Sequence, residues 1–374
     1  MLKATRQLFS AYVSQIALLN GISAAEASST KFSVDPSVEQ KLEERMKESS
    51  EFLSAINSVP VTQQSGEKVG VETTRTIAGR TDTSGGTKRN PTDPTDTTDQ
   101  NGYFCRQTNY DWAIRYAKMD AWRHKPNFQE LLRNAILKQQ GRDRIMIGFN
   151  GVSAAATTDR ATYPMLQDVN KGWLQHIRED APAHVLDDGS LTVLSDGEDD
   201  VAVKAIYVKA GATLYDESLD NSTTGEADYS SLDALVLDAK SLIEEWHRSD
   251  TDLVVIVGHD LVDDKYFNIA QTAGATATEV EATDRIIRSD KQLGGLPAVR
   301  VPFFPANAIL ITRLDNLSIY WQEETRRRQI KDEPELDRVA NFESVNEDYV
   351  VEEYDMVALV ENIVLGASPE RTAA

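Results

Sequence analysis

The chain has one cysteine in 374 residues, Cys105, so no internal disulfide can form, and the composition fits a reducing compartment. It is short of positive charge: 39 Lys and Arg stand against 60 Asp and Glu, for a formal net charge of −21. That balance argues against wrapping nucleic acid by bulk electrostatics, although it permits enclosing nucleic acid without gripping it. It favours solubility and would keep a densely packed assembly from clumping. Apolar runs of about 18 residues or more are absent, so no membrane-crossing helix is expected and no membrane partner. The histidines (His124, His176, His184, His247, His259) are scattered, with no His-x-x-x-His spacing and no Cys/His cluster. There is no GxxxxGK[ST] cradle and no GxGxxG after a strand. No cofactor and no metal are expected.

What the chain does have is an unusual stretch at 64–116. Two strand-like flanks enclose a polar tract, Gly79–Gly102, reading GRTDTSGGTKRNPTDPTDTTDQNG. Hairpin loops ordinarily run about 2–5 residues, and structureless loops beyond about 12–15 are usually functional or disordered. The second flank, Phe104–Tyr116, alternates. Phe104, Thr108, Tyr110, Trp112, Ile114 and Tyr116 share one face, interrupted by Arg106, and the other face is mostly polar. An aromatic-faced arm with a polar tip needs a surface to lie on, and another copy of the same chain is the expected one.

The remaining elements read as a mixture without a regular βαβ repeat, hence α+β. An amphipathic helix carries Leu8, Phe9, Tyr12, Val13, Ile16 and Leu19, stops at Asn20-Gly21, and suits a partner groove better than a translocon. A small-residue linker, Ser23–Thr30, follows; such segments attract proteolysis. Further helices are expected at 37–56, 127–147, 165–178, 232–246, 261–270 and 279–293. Strands are expected at 252–258 and 298–304, as a pair at 308–312 and 317–321, and within 348–365. Residues 187–228 read as an acidic surface insertion with strand-like pieces at 191–194 and 201–208; the calcium-loop pattern is lacking there.

Two other features bear on function. His259 and Asp260 follow a buried strand, where a base with its orienter or a pair of metal ligands can sit; the plainer reading, a strand end with Asp260 capping a helix, is favoured because no third ligand is in view. Arg326, Arg327 and Arg328 read as a salt-bridged intersubunit surface, with an inward-facing DNA contact as the alternative.

Strings spread over the whole chain resemble the major capsid proteins of Peduovirus-type tailed phages. They include ESSEFLSAINSVPV (48–61), GEKVG (66–70), TDTSGGTKRNP (81–91), FNGV (149–152), PMLQDVNKGWLQ (164–175), SLDALVLDA (231–239), LPAVRVPFFPANAILITRLDNLSIY (296–320) and LDRVANFESVNEDYVVEEY (336–354). The acidic segment 187–228 departs from the family pattern. The resemblance implies the tailed-phage and herpesvirus capsid fold of the Hong Kong type. Its expected parts are an N-terminal propeptide that engages scaffold (1–31), an arm (32–65), an extended hairpin loop (66–116) and a peripheral domain with a spine helix (117–163). An axial domain (164–305) and return strands to the peripheral domain (306–374) complete it.

The implied function is a non-enzymatic shell protein. It forms hexamers and pentamers of an icosahedral head around an internal scaffold and protease, with a portal and packaged double-stranded DNA, in the host bacterial cytoplasm. The implied cleavage lies near Thr30, Lys31, Phe32 and Ser33, between about Ala27 and Val34 by analogy with the adjoining linker. Intersubunit contacts are expected from Gly85, Lys88, Arg89, Tyr110 and Trp112. The competing readings are a tail-tube or adaptor protein, disfavoured by the long helix after the arm, and a metal-dependent hydrolase built on His259 and Asp260.

Overall fold

The computed structural model describes residues 1–68, 78–86, 88–91, 102–122, 128–189, 204–209, 227–261 and 292–366. Helix α1 (Lys3–Leu19) forms where Val13, Ile16 and Ala17 fall on one buried face, and Gly21 at φ 65 supplies the left-handed turn after it. The expected linker is instead a second helix, α2 (Ala24–Ser29). Ser23 and Glu26 close a reciprocal capping box, and Ala27 is fully buried. Strand β1 (Phe32–Ser33) leads to α3 (Pro36–Lys47), capped by Asp35 with Pro36 at its first position. The helix expected to run on to 56 breaks near Ser49, whose hydroxyl donates to the Met46 carbonyl (2.6 Å), and resumes as α4 (Glu51–Ala55).

Next come β2 (Asn57–Val61), β3 (Ser65–Gly66), β4 (Tyr103–Phe104), β5 (Arg106–Asn109) and β6 (Trp112–Arg115). Helix α5 (Tyr116–Trp122) and the long α6 (Phe128–Asn150) follow, then α7 (Trp173–Asp180), β7 (Val185–Leu186), β8 (Ile206–Val208) and α8 (Leu232–Ala239). The later strands are β9 (Val254–Val257), β10 (Gln292–Leu293), β11 (Leu296–Val299), β12 (Ile309–Thr312) and β13 (Leu317–Gln322). They end with β14 (Arg327–Glu333), β15 (Arg338–Val351), β16 (Ala358–Val360) and β17 (Ile363–Leu365).

The long strand β15 organises a seven-stranded sheet. Antiparallel β13 and β14 run along one side of it, β5 and β6 along the other, with β2 parallel to β13 and β1 on the edge of β14. Arg106 faces Glu347 and Arg115 faces Arg338, so β5 and β6 are one ladder in one register, interrupted only at Tyr110-Asp111. On the other side the register slips. Leu317 of β13 faces Val351 but Arg327 of β14 faces Ser344, so ten steps of chain across the two strands match seven along β15. The surplus sits between β13 and β14, where Glu324 takes φ 62 and Arg326 turns inward.

A six-stranded mixed sheet, β10-β11-β9-β12-β16-β7, is covered by α8. The expected strand pair at 308–312 and 317–321 is therefore not a pair: β12 joins this sheet and β13 the other. Likewise the segment after 305 does not return to one body, because β12 lies between β9 and β16 while β13–β15 build the seven-stranded sheet. Both outcomes follow from apolar strands that are buried on two faces and carry no face-specific pattern.

A shared core joins the sheets. Trp173 is fully buried and donates from its indole to the Ser318 carbonyl (3.0 Å), with Phe52, Phe149 and Tyr349 packed around the ring. Gly148 makes this possible, since a Cβ there would lie 2.2 Å from the Trp173 ring. The helix expected at 165–178 begins only at Trp173. Before it the chain turns around Asp168, whose carboxylate accepts the Asp159 N–H (2.6 Å), and Leu166 takes φ 58. The helix expected to reach 246 gives way after Ala239 to a short 3-10 turn. The helices expected at 261–270 and 279–293, the strand at 191–194 and most of the acidic insertion lie outside the described residues, apart from such ends as β8, which pairs with β17.

Candidate assembly surface

The base of the polar arm is built into the subunit. From Thr108 to Tyr116 the expected face turns inward: Thr108 and Tyr110 are buried, Trp112, Ile114 and Tyr116 half-buried. Phe104 departs from it, because Cys105 takes the buried position and leaves Phe104 exposed. The cover for this face is not another copy but the same chain. Tyr110, expected between subunits, donates its hydroxyl to Glu347. Trp112 lines an apolar pocket with Ile114, Met119, Leu132 and residues of α1. A period-two pattern fixes which face is apolar but not what covers it.

Beneath this base lies a buried ionic network. Arg144 of α6 grips Glu43 of α3 with two bonds (2.6 and 3.0 Å) and Glu347 of β15 with a third (2.9 Å). Arg326 binds Glu43 and Glu343, and its Nε lies 3.8 Å from Glu39. Thus Arg326, expected on an intersubunit or DNA-facing surface, is 1% exposed and locks its own subunit together. Arg328 is also turned to its own chain, binding Asn341 (2.7 Å) and Tyr12 (3.2 Å); only Arg327 is exposed, as strand alternation requires.

The two buried glutamates of α3, Glu39 and Glu43, differ. Burial alone would push the Glu43 carboxyl up, but the Arg144 and Arg326 guanidiniums outweigh it and hold it below the ordinary value. For Glu39 burial wins over Arg326, and its carboxyl is pushed up. Glu39, Glu43 and Met46 form the buried stripe of α3, a spacing visible in the sequence but passed over because two of the three are charged.

The tip of the arm behaves differently. Gly85, Lys88 and Arg89 are exposed, as are the other described residues between 78 and 91. Hydrogen bonds here close on the tip itself, Ser84 to Asp82 (2.6 Å) and Gly86 N to Thr83 O (3.1 Å). The expected cleavage segment is partly woven in. Lys31 is exposed, but Phe32 and Ser33 pair with Arg328 and Arg327, and Thr30 ends α2. His259 and Asp260 sit three-quarters exposed, 3.3 Å apart, at the edge of the described chain.

The sequence matches the family described as phage major capsid protein, P2 family, over residues 8–363. The chain belongs to this family. It is 48% identical to the capsid protein of Escherichia phage P2, covering 100% of this chain and 99% of that one. It is 42% identical to the major capsid protein of Serratia phage KSP20, over 98% of each. Among solved structures, a chain of the satellite phage P4 procapsid including the size determination (Sid) protein superposes with a TM-score of 0.75 at 46% identity. That match covers 98% of this chain and 99% of the other. The capsid protein has the α+β, Hong Kong-type fold. It is a structural subunit of the virion capsid, assembled from copies of itself, and not an enzyme, which removes the hydrolase reading of His259 and Asp260.

Proposed function

We propose that this capsid protein forms the hexamers and pentamers of an icosahedral head, assembled in the host cytoplasm around an internal scaffold and closed on a portal. The shell then takes up double-stranded DNA. The observation that carries the reading is the contrast within the arm. Its base is fixed along β15 in one register, while its tip stays exposed. A rigid base with an exposed polar tip suits a contact made outside the subunit. Closed symmetry lets many modest contacts sum to a stable shell, and the charge of −21 limits adhesion to DNA passing inside.

The N-terminal segment is the part we assign to scaffold engagement and removal. Helices α1 and α2 pack as a small lobe over Met119, Ile330 and Val339. Polar links that hold the lobe include Thr5 to Asp120, Arg328 to the Tyr12 hydroxyl (3.2 Å) and Gln329 to the Ser29 carbonyl (3.1 Å). Cleavage between about Ala27 and Val34, the position analogous to the family's processing site, would release the lobe and leave β1 or its remnant on the sheet edge. N-terminal sequencing of mature particles tests this: a new terminus within that window is expected, and a chain still starting at Met1 would reject it. The arm at 32–65, the loop at 66–116, the spine-helix body at 117–163 and the axial body at 164–305 are our assignment of parts. The strands after 305 are shared between the two sheets.

A further inference from the structure

The polar arm leaves the subunit and returns to it through a small neck. Strands β3 and β4 pair at Ser65 with Phe104 and at Gly66 with Tyr103, and the Cys105 N–H donates to the Gln64 carbonyl (2.7 Å). The limbs meet at glycines: a Cβ on Gly102 would lie 2.4 Å from the Gly66 carbonyl oxygen. A two-stranded ladder this short is marginal by itself. What fixes the neck has to come from the body of the subunit.

Each limb is held there by a buried charged side chain. On the outgoing limb it is Lys68, which is 8% exposed, an uncommon place for a lysine. Its ammonium donates to the Val351 carbonyl (2.7 Å) at the end of β15 and stands 4.6 Å from the centre of the Tyr354 ring. The Tyr354 hydroxyl donates to Asp180 of α7 (2.9 Å), and the His176 Nδ1 lies 3.3 Å from the same carboxylate. The Asp180 carboxyl is held low, foremost by His176 and then by Tyr354 and Lys68, against the burial that would raise it. On the returning limb the Phe104 N–H donates to Asp348 of β15 (2.8 Å), itself buried, and Tyr103 packs on Tyr320 with ring centres 5.1 Å apart. Both limbs are therefore tied to one stretch of one strand, at Asp348 and Val351.

Burying an ammonium costs desolvation that an apolar side chain of similar length avoids. What the ammonium adds is direction, through a bond to one carbonyl and a seat over one ring. We infer that Lys68 is a positioning residue for assembly: with Asp348 on the opposite limb it clamps the neck and sets the direction in which the arm leaves its own subunit. This rests on the shell reading above.

Lys68→Met keeps the stem and removes the ammonium. Spin labels on Gly85→Cys at the arm tip and on Leu237→Cys, exposed on α8, report the tip's position in the unassembled full chain. Cys105 stays unlabelled, because it is buried and burial above all pushes its thiol up to about 12. Lys68→Met is expected to shift or broaden the distance distribution and to lose closed shells formed with scaffold, while the urea midpoint read by Trp173 fluorescence holds or rises. An unchanged distribution, one already as broad in the unsubstituted chain, or normal shells would overturn the assignment. Should Lys68→Met lower the midpoint or fail to fold, Tyr354→Phe, which keeps the ring and breaks its bond to Asp180, is read in its place by the same criteria. If the unsubstituted chain forms no shells with its scaffold, the shell reading falls, while the distance measurement still decides the clamp.

Discussion

Glu39 and Glu43 lie one turn apart on α3, both buried and both near Arg326, and their replacement by glutamine is expected to act in opposite directions. Glu43 takes two bonds from Arg144 and one from Arg326. Glu43→Gln leaves both guanidiniums short of a counter-charge, and breaking a buried pair of this kind costs about 3–5 kcal/mol. The Glu39 Oε1 stands 3.8 Å from the Arg326 Nε and accepts no hydrogen bond there, while the Glu324 N–H donates to its Oε2 (3.1 Å). Glu39→Gln keeps an acceptor for that N–H and removes a charge that burial disfavours, so stability at pH 7 is expected to hold or rise. The pH dependence follows with the same signs. The Glu43 carboxyl is held low in the folded chain, so its contribution is present above the unfolded value and lost as pH falls through the folded one. The Glu39 carboxyl is raised, so acidification relieves its penalty. Urea unfolding of the full chain, followed by fluorescence of the buried Trp173, reads both. Equal losses from the two variants would refute the account of the network.

Three further outcomes are expected. Gly148→Ala forces a methyl to 2.2 Å from the Trp173 ring and should destabilise by about 1–3 kcal/mol or more, read by the same unfolding curve. Cys105 should resist thiol reagents at pH 8 in the folded chain and react fully in denaturant, since burial pushes its thiol up to about 12; rapid native labelling would contradict its placement. Deleting residues 81–101 should leave the folded subunit intact by circular dichroism and impair shell formation. A variant that cannot fold would make the arm an intrachain element.

The sequence carried the identity of many faces and few of their partners. The alternation from Thr108 to Tyr116 identified the inward side of β5 and β6, yet its cover includes α1 and α6 of the same chain, with β15 as the neighbouring strand. Three consecutive arginines looked like one basic surface. Strand alternation and a three-residue register slip send Arg326 into the core and leave Arg327 outside. The buried glutamates were missed because charge argues for solvent, and only partners distant in sequence, Arg144 and Arg326, reverse that argument. Small residues at 23–30 suggested an open linker; Ser23 and Glu26 spell a capping box that outweighs composition. Strands buried on both faces, such as β9 and β12, were legible as strands but not as members of a given sheet.

Electron microscopy of the full chain, purified after co-expression with the scaffolding protein of its phage, tests the central claim most directly. Closed isometric shells with hexameric and pentameric capsomers are expected, and the chain lacking 81–101 should yield few or none under the same conditions. Tubes, isolated rings or small oligomers from the unsubstituted chain would contradict the account.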